Sequence, residues 1–141
     1  AHIQRGVQVI SVICLATAIY FEARSEPLEG QVGVANVIMN RVASDKFPNS
    51  PCEVVKQGRT WMGHMVRNQC HFSYYCDGRP EVILDEGAYT LALSIAVNWP
   101  NLVDITNGAT YYHRDDVHPY WIESLSISRQ IGRHLFYNQA L

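Results

Sequence analysis

The sequence predicts an α+β domain that is mostly helical, with a small antiparallel β-sheet towards its C-terminal end. Two observations carry this. Segments with apolar residues at helical spacing, or apolar on nearly every side, occupy much of the chain up to Asn98. Three short β-prone runs with a glycine at a turn position follow it. The 141 residues suit a single domain over residues 1–141 and leave no room for two comfortable cores. No internal repeat, linker or low-complexity tract divides it.

The elements follow in order. Val7 to Arg24 is apolar on nearly every side, the pattern of a helix in the middle of a protein. Glu22 falls in its last turn. Pro27 ends it, because a proline disfavours helix at the residue before it, and Pro27 suits the first position of a second helix. That helix is expected from about Leu28 to Ser44, where Val34, Val37, Ile38 and Arg41 recur at helical spacing and Val42 extends the stripe. The two form a hairpin whose tight corner carries Glu22, Arg24 and Glu26. Ser50-Pro51-Cys52-Glu53 fits a capping box with Glu53 reaching back, so a short helix should run to about Gln57. Gly58 to Pro80 is polar and aromatic without clear periodicity, which is unusual in a compact domain and often functional. A third long helix is expected from about Leu84 to Asn98, with Leu91, Ala92, Ile95 and Ala96 inward and Pro100 as its stop. Strands are expected at Ala109 to His113, Leu125 to Gln130 and His134 to Tyr137, with Gly132 near a turn.

Hydrophobic residues make up 48% and charged residues 17%, a globular rather than a disordered balance. The net charge is -2, from 11 basic and 13 acidic residues, and no basic tract supports nucleic-acid binding. The apolar run Val7 to Phe21 is too short to span a membrane, contains Ser11 and Thr17, and is followed by no small-residue cleavage site. No export signal is therefore visible, and the first residue, Ala1, fits a processed or trimmed chain. Cys14 reads as a buried thiol. One disulfide among Cys52, Cys70 and Cys76 is admissible in an exported protein and not in a cytosolic one.

Glu22 is the sharpest chemical candidate. A carboxylate at the end of an apolar helix is desolvated, which disfavours its charged form and poises it as a general acid near neutral pH. Tyr20 and Phe21 deepen the effect. The competing reading is a structural salt bridge with Arg24 or Arg41. Glu26, four residues on, is a candidate second carboxylate, or else caps the second helix or orients Arg24. The histidines His2, His64, His71, His113, His118 and His134 are scattered without HExxH spacing, so no metal and no other cofactor is expected. No GxSxG elbow is present, and Ser73 with a histidine is a pairing any sequence offers. Cys70 and Cys76 flank an aromatic loop, which favours a staple over a nucleophile. Trp61, Phe72, Tyr74, Tyr75, Tyr111, Tyr112, Tyr120 and Trp121 cluster in loop-like stretches. Their faces and phenols suit sugar rings, although half are expected in the core.

Four segments, in order, carry a resemblance. They are Ala18-Ile19-Tyr20-Phe21-Glu22-Ala23-Arg24-Ser25-Glu26-Pro27 with Glu29-Gly30-Gln31-Val32 and Asn40-Arg41-Val42; Cys70 to Gly78 (CHFSYYCDG); Gly108 to His113 (GATYYH) with Pro119-x-Trp121; and Ile131 to Tyr137 (IGRHLFY). Together they resemble the cell-wall hydrolase family that includes the catalytic domain of spore cortex-lytic enzymes, over about residues 12 to 138. The departures are Ser25 and Phe21 where the family has glycine, His71 where it has glutamine, and a less familiar stretch from Trp61 to Asn68. They bear on the shape of the groove more than on the chemistry.

The resemblance implies a lysozyme-related α+β fold, Glu22 as the catalytic acid/base, and Phe72, Ser73, Tyr112, His113 and Tyr137 along the substrate groove. Glu26 and Trp121 complete the expected substrate-binding set. The implied reaction cleaves the bond between N-acetylmuramic acid and N-acetylglucosamine in bacterial peptidoglycan, as a lytic transglycosylase giving 1,6-anhydro products. Its rivals are a muramidase using water with Glu26 or Asp77 as second carboxylate, and a non-catalytic glycan-binding module; a metal-dependent wall amidase would be chelator-sensitive. A monomer acting at the cell wall, periplasmic or extracellular, is expected.

Overall fold

The computed structural model describes residues 5–139, so His2 lies outside the described residues. Four helices precede or flank two small antiparallel sheets. The helices are α1 (Arg5–Ala23), α2 (Leu28–Ala43), α3 (Pro51–Val55) and α4 (Glu86–Val97). The strands β1 (Gly58–Trp61) and β2 (His64–Cys70) form a hairpin, and β3 (Tyr111–Arg114), β4 (Leu125–Ile131) and β5 (His134–Gln139) form a sheet in the order β3-β5-β4. Short 3-10 turns sit at Ser73–Cys76, Trp99–Asn101 and Tyr120–Ser124.

The C-terminal half of α1 is the centre of the core, with Leu15, Ala16, Ala18, Ile19, Tyr20 and Ala23 buried against α2, α3 and α4. Its N-terminal half is not central, because Val9, Ile10 and Ile13 are exposed. The Tyr20 hydroxyl accepts hydrogen bonds from the Leu84 and Asp85 amides at 3.2 and 3.0 Å, fixing the entry to α4. Asp85 then caps α4 by accepting from the Ala88 amide. Ala92, Ile95 and Ala96 face inward as expected, but Leu91 is 39% exposed. On α2, Val34, Val37, Ile38 and Arg41 are buried. Pro27 stands just outside the helix with extended ψ, one residue earlier than expected. Ser50 caps α3 from the Glu53 amide, while the Glu53 carboxylate turns to Lys56 instead of reaching back.

Gly33 lets α2 lie against the C-terminal sheet: a Cβ there would stand 2.6 Å from the Phe136 ring. Phe136, fully buried, joins Val37, Ala109 and Ile131 in a second apolar cluster. Two disulfides form: one is the expected Cys70–Cys76 staple, and the other corrects the reading of Cys14. Cys14 is not a free thiol; it joins Cys52 and ties α1 to α3, while Cys70 joins Cys76 and closes the turn after β2. The β1–β2 hairpin was not legible as strands. Its turn uses Met62 and Gly63, both at positive φ, and nearly every side chain of the hairpin faces solvent.

Candidate active site

Glu22 is held at the corner between α1 and α2. The chain turns there through hydrogen bonds from the Arg24 amide to the Tyr20 carbonyl and from the Glu26 amide to the Ala23 carbonyl, 3.2 and 2.9 Å. Gln31, buried on α2, donates from its side chain to the Glu26 carbonyl at 3.1 Å. The corner thus points the last side chains of α1 at the sheet. Tyr112, from β3, donates its hydroxyl to Glu22 Oε1. The Tyr112 ring lies against Phe72, His134 and Phe136, which leaves the phenol little freedom to turn away.

Burial dominates the Glu22 carboxyl and pushes it from an ordinary 4.5 up to about 7, against the opposing pull of the Tyr112 hydrogen bond. Tyr112 itself is driven well above its usual range, first by burial and then by the Glu22 charge, so it stays a hydroxyl donor. Among the described residues Glu22 forms no ion pair. Arg24 lies over the Tyr20 ring at 4.7 Å, and Arg41 donates to the Thr110 carbonyl at 2.7 Å. The salt-bridge reading is thereby set aside in favour of a desolvated acid with one phenolic partner.

A cleft of about 680 Å³ opens beside Tyr112, lined by residues that include Tyr112, Tyr111, Trp121, Tyr120 and Arg41; Glu22 itself is not among the lining residues and adjoins the cleft through Tyr112. Of the expected groove residues, Tyr112 and Trp121 line it directly. Phe72, His113 and Tyr137 are buried one layer behind. The Tyr137 hydroxyl and His113 Nε2 are 2.8 Å apart, and His113 Nδ1 is 2.6 Å from the Arg114 carbonyl. That carbonyl can only accept, so Nδ1 carries the proton and Nε2 accepts from Tyr137. The Trp121 ring rests edge-on against both, with centroids 5.6 and 5.4 Å away. Ser73 opens the turn after β2 and is exposed.

Glu26 is turned elsewhere. Its Oε1 accepts from the Arg133 amide at 2.9 Å, so it neither caps α2 nor pairs with Arg24 and instead anchors the β4–β5 turn. Gly132 in that turn has φ +57, and a Cβ there would lie 2.7 Å from Glu26 Oε1. Asp77 accepts from the Arg79 amide at 2.8 Å. Sequence reasoning missed Arg41 and Arg59 as cleft residues, while Tyr111 and Tyr120 line the cleft as members of the wider aromatic set singled out for sugar rings. The one available signal for Arg41 was a charged residue inside an otherwise apolar helical stripe.

Comparison with known proteins places this geometry. A family model described as Cell Wall Hydrolase matches residues 25–137. Spore cortex-lytic enzymes are similar over nearly the whole chain: that of Halalkalibacterium halodurans is 35% identical over 138 residues, and that of Bacillus cereus 32% over 136, covering 97% and 96% of this chain. The chain spans less than half the length of these curated relatives, 37% and 47% of each. Among solved structures, the catalytic domain of the germination-specific lytic transglycosylase SleB from Bacillus anthracis superposes with a TM-score of 0.67 at 32% identity, covering 91% of this chain and 93% of that one. The catalytic domain of the Bacillus cereus SleB protein gives 0.65 at the same identity, over 91% and 89%. The fold is accordingly the lysozyme-related α+β fold that the sequence suggested. Glu22 stands three residues before the matched segment, at the end of the helix that delivers it to Tyr112. The extent of these matches and the shared fold establish that the chain belongs to the cell wall hydrolase family.

Proposed function

We propose that this domain cleaves the glycan strands of bacterial peptidoglycan between N-acetylmuramic acid and N-acetylglucosamine, as a lytic transglycosylase. The observation that carries the reading is Glu22: one carboxyl, pushed up to about 7 by burial, with a phenol donor on one oxygen. Such a group is protonated often enough near neutral pH to act as an acid, and basic enough once ionised to take a proton back. Glu22 gives its proton to the leaving glycosidic oxygen as the bond to C1 breaks. The carboxylate then accepts the proton of the muramic C6 hydroxyl, whose oxygen bonds to C1. The product is a 1,6-anhydro sugar, no water is consumed, and Glu22 ends protonated. One carboxylate suffices because the substrate supplies the nucleophile, which agrees with Glu26 and Asp77 being engaged by backbone amides.

Tyr112 orients the carboxyl, and Trp121 offers an apolar face to a sugar ring. Phe72, His113 and Tyr137 support these two from behind, and Ser73, exposed on the turn after β2, is a further substrate contact in this reading. No described helix is long and apolar enough to cross a membrane. The test is a digest of purified peptidoglycan by the wild type and by Glu22→Gln, read by mass spectrometry. Products one water lighter than ordinary muropeptides, absent with the variant, are expected. Ordinary reducing ends would replace this reading with hydrolysis, and intact glycan after wild-type treatment would end the enzymatic reading altogether.

A further inference from the structure

Arg41 is a charge without a counter-charge. Only 5% of it is exposed, and buried charges are normally paired. Its polar contacts are all neutral: the Thr110 carbonyl at 2.7 Å, Gln57 Oε1 at 3.4 Å and His71 Nδ1 at 3.1 Å. The rest of its surroundings are the rings of Phe47, Phe72 and Tyr111, 4.7 to 5.4 Å from the guanidinium carbon. Among the described residues no carboxylate lies within 4.0 Å of it. Yet it lines the cleft, and so do Arg59 and His71.

None of the residues lining that cleft is acidic, although the chain as a whole carries more acidic than basic residues. The positive sign is therefore local to this wall. Arg41 donates to His71 Nδ1, so that nitrogen is unprotonated and the imidazole carries its proton on Nε2. All three side chains thus have hydrogen-bond donors to give, and two are guanidinium forks, which match a carboxylate in shape and charge.

We propose that the wall formed by Arg41, Arg59 and His71 is a carboxylate subsite, which selects glycan units bearing an acidic substituent over neutral ones. The proposal rests on the glycan-cleaving reading and refines it by naming what the cleft reads besides the sugar. Peptidoglycan offers a carboxylate from two sources: the lactyl group of a muramic residue stripped of its peptide, or the acidic side groups of an intact peptide stem.

The experiment measures binding of soluble glycan fragments to Glu22→Gln by calorimetry. Two pairs of fragments are used: stripped strands with free lactyl carboxylates against their methylamides, and stem-bearing strands against theirs. One charge-assisted contact corresponds to about a tenfold difference in affinity. The acid form should bind about that much more tightly in at least one pair, and the pair that shows it names the source. Arg59→Gln in the same background should shrink the contrast between acid and methylamide; Arg59 is exposed, so its loss does not threaten the core. Equal affinity for acid and methylamide in both pairs, or an Arg59→Gln variant that weakens both forms alike, overturns the subsite. Failure of the wild type to cut glycan is read separately from its products and would overturn the catalytic reading instead.

Discussion

Replacing Tyr112 with phenylalanine removes one hydroxyl and keeps the ring that rests on Phe72, His134 and Phe136. In the intact protein burial raises the Glu22 carboxyl and the Tyr112 hydrogen bond holds it back, with a net position of about 7. Without the hydroxyl, burial acts unopposed. A hydrogen bond to a charged group contributes about 1.5–3 kcal/mol, and about 1.4 kcal/mol moves a pKa by one pH unit. The variant's carboxyl should therefore titrate about one to two pH units higher. A general acid works while protonated, so kcat/KM falls as pH rises through its pKa. That alkaline limb should lie near pH 7 in the wild type and near pH 8–9 in Tyr112→Phe, roughly one to two units higher. Initial rates on soluble glycan fragments from pH 5 to 10 provide the assay, with circular dichroism confirming the fold at each end. A limb that stays at the wild-type pH, or moves to lower pH, would refute the argument that Tyr112 stabilises the ionised form of Glu22.

Three further outcomes are expected. Glu22→Gln should abolish turnover and flatten the pH dependence of stability: the raised Glu22 favours folding fully below pH 4.5, and that contribution is lost as pH rises through about 7. Urea unfolding at pH 8.5 should find the variant more stable than wild type by at most about 3 kcal/mol, with no gap at low pH; parallel curves would count against a buried acid. Gly33→Ala should lower the melting temperature, because the 2.6 Å approach to Phe136 imposes overpacking of about 1–3 kcal/mol against about 1 kcal/mol of gained helix propensity. Removing Cys14 and Cys52 together opens a link across 38 residues and should cost about 4 kcal/mol, with unchanged thermal stability as the contrary result.

The helices were legible because their apolar spacing is repetitive, and Glu22 because a carboxylate at the end of an apolar segment is chemically out of place. The β1–β2 hairpin was not, since both its faces meet solvent and no alternation marks them. Leu91 and the exposed residues of early α1 show the same limit from the other side: an apolar residue states what could be buried, not what is. Motif resemblance brought together Phe72, Tyr112, His113 and Tyr137 but carried no depth. It did not separate Tyr112, which touches the acid, from Tyr137, whose hydroxyl is occupied by His113. Arg41 read as one more member of a helical stripe because its role depends on Thr110, Gln57 and His71, which only tertiary structure brings to it.

The Glu22–Tyr112 contact joins residues 90 positions apart, across three helices and the first hairpin. Contacts between distant parts of a chain require loop closure before they return any stabilisation, so they form late. Until β3 docks, Glu22 lacks the Tyr112 hydroxyl that orients its carboxyl. The carboxyl of this chain is thus completed by a contact that must wait for a 90-residue loop to close: a molecule whose sheet has not docked lacks the phenol that orients Glu22.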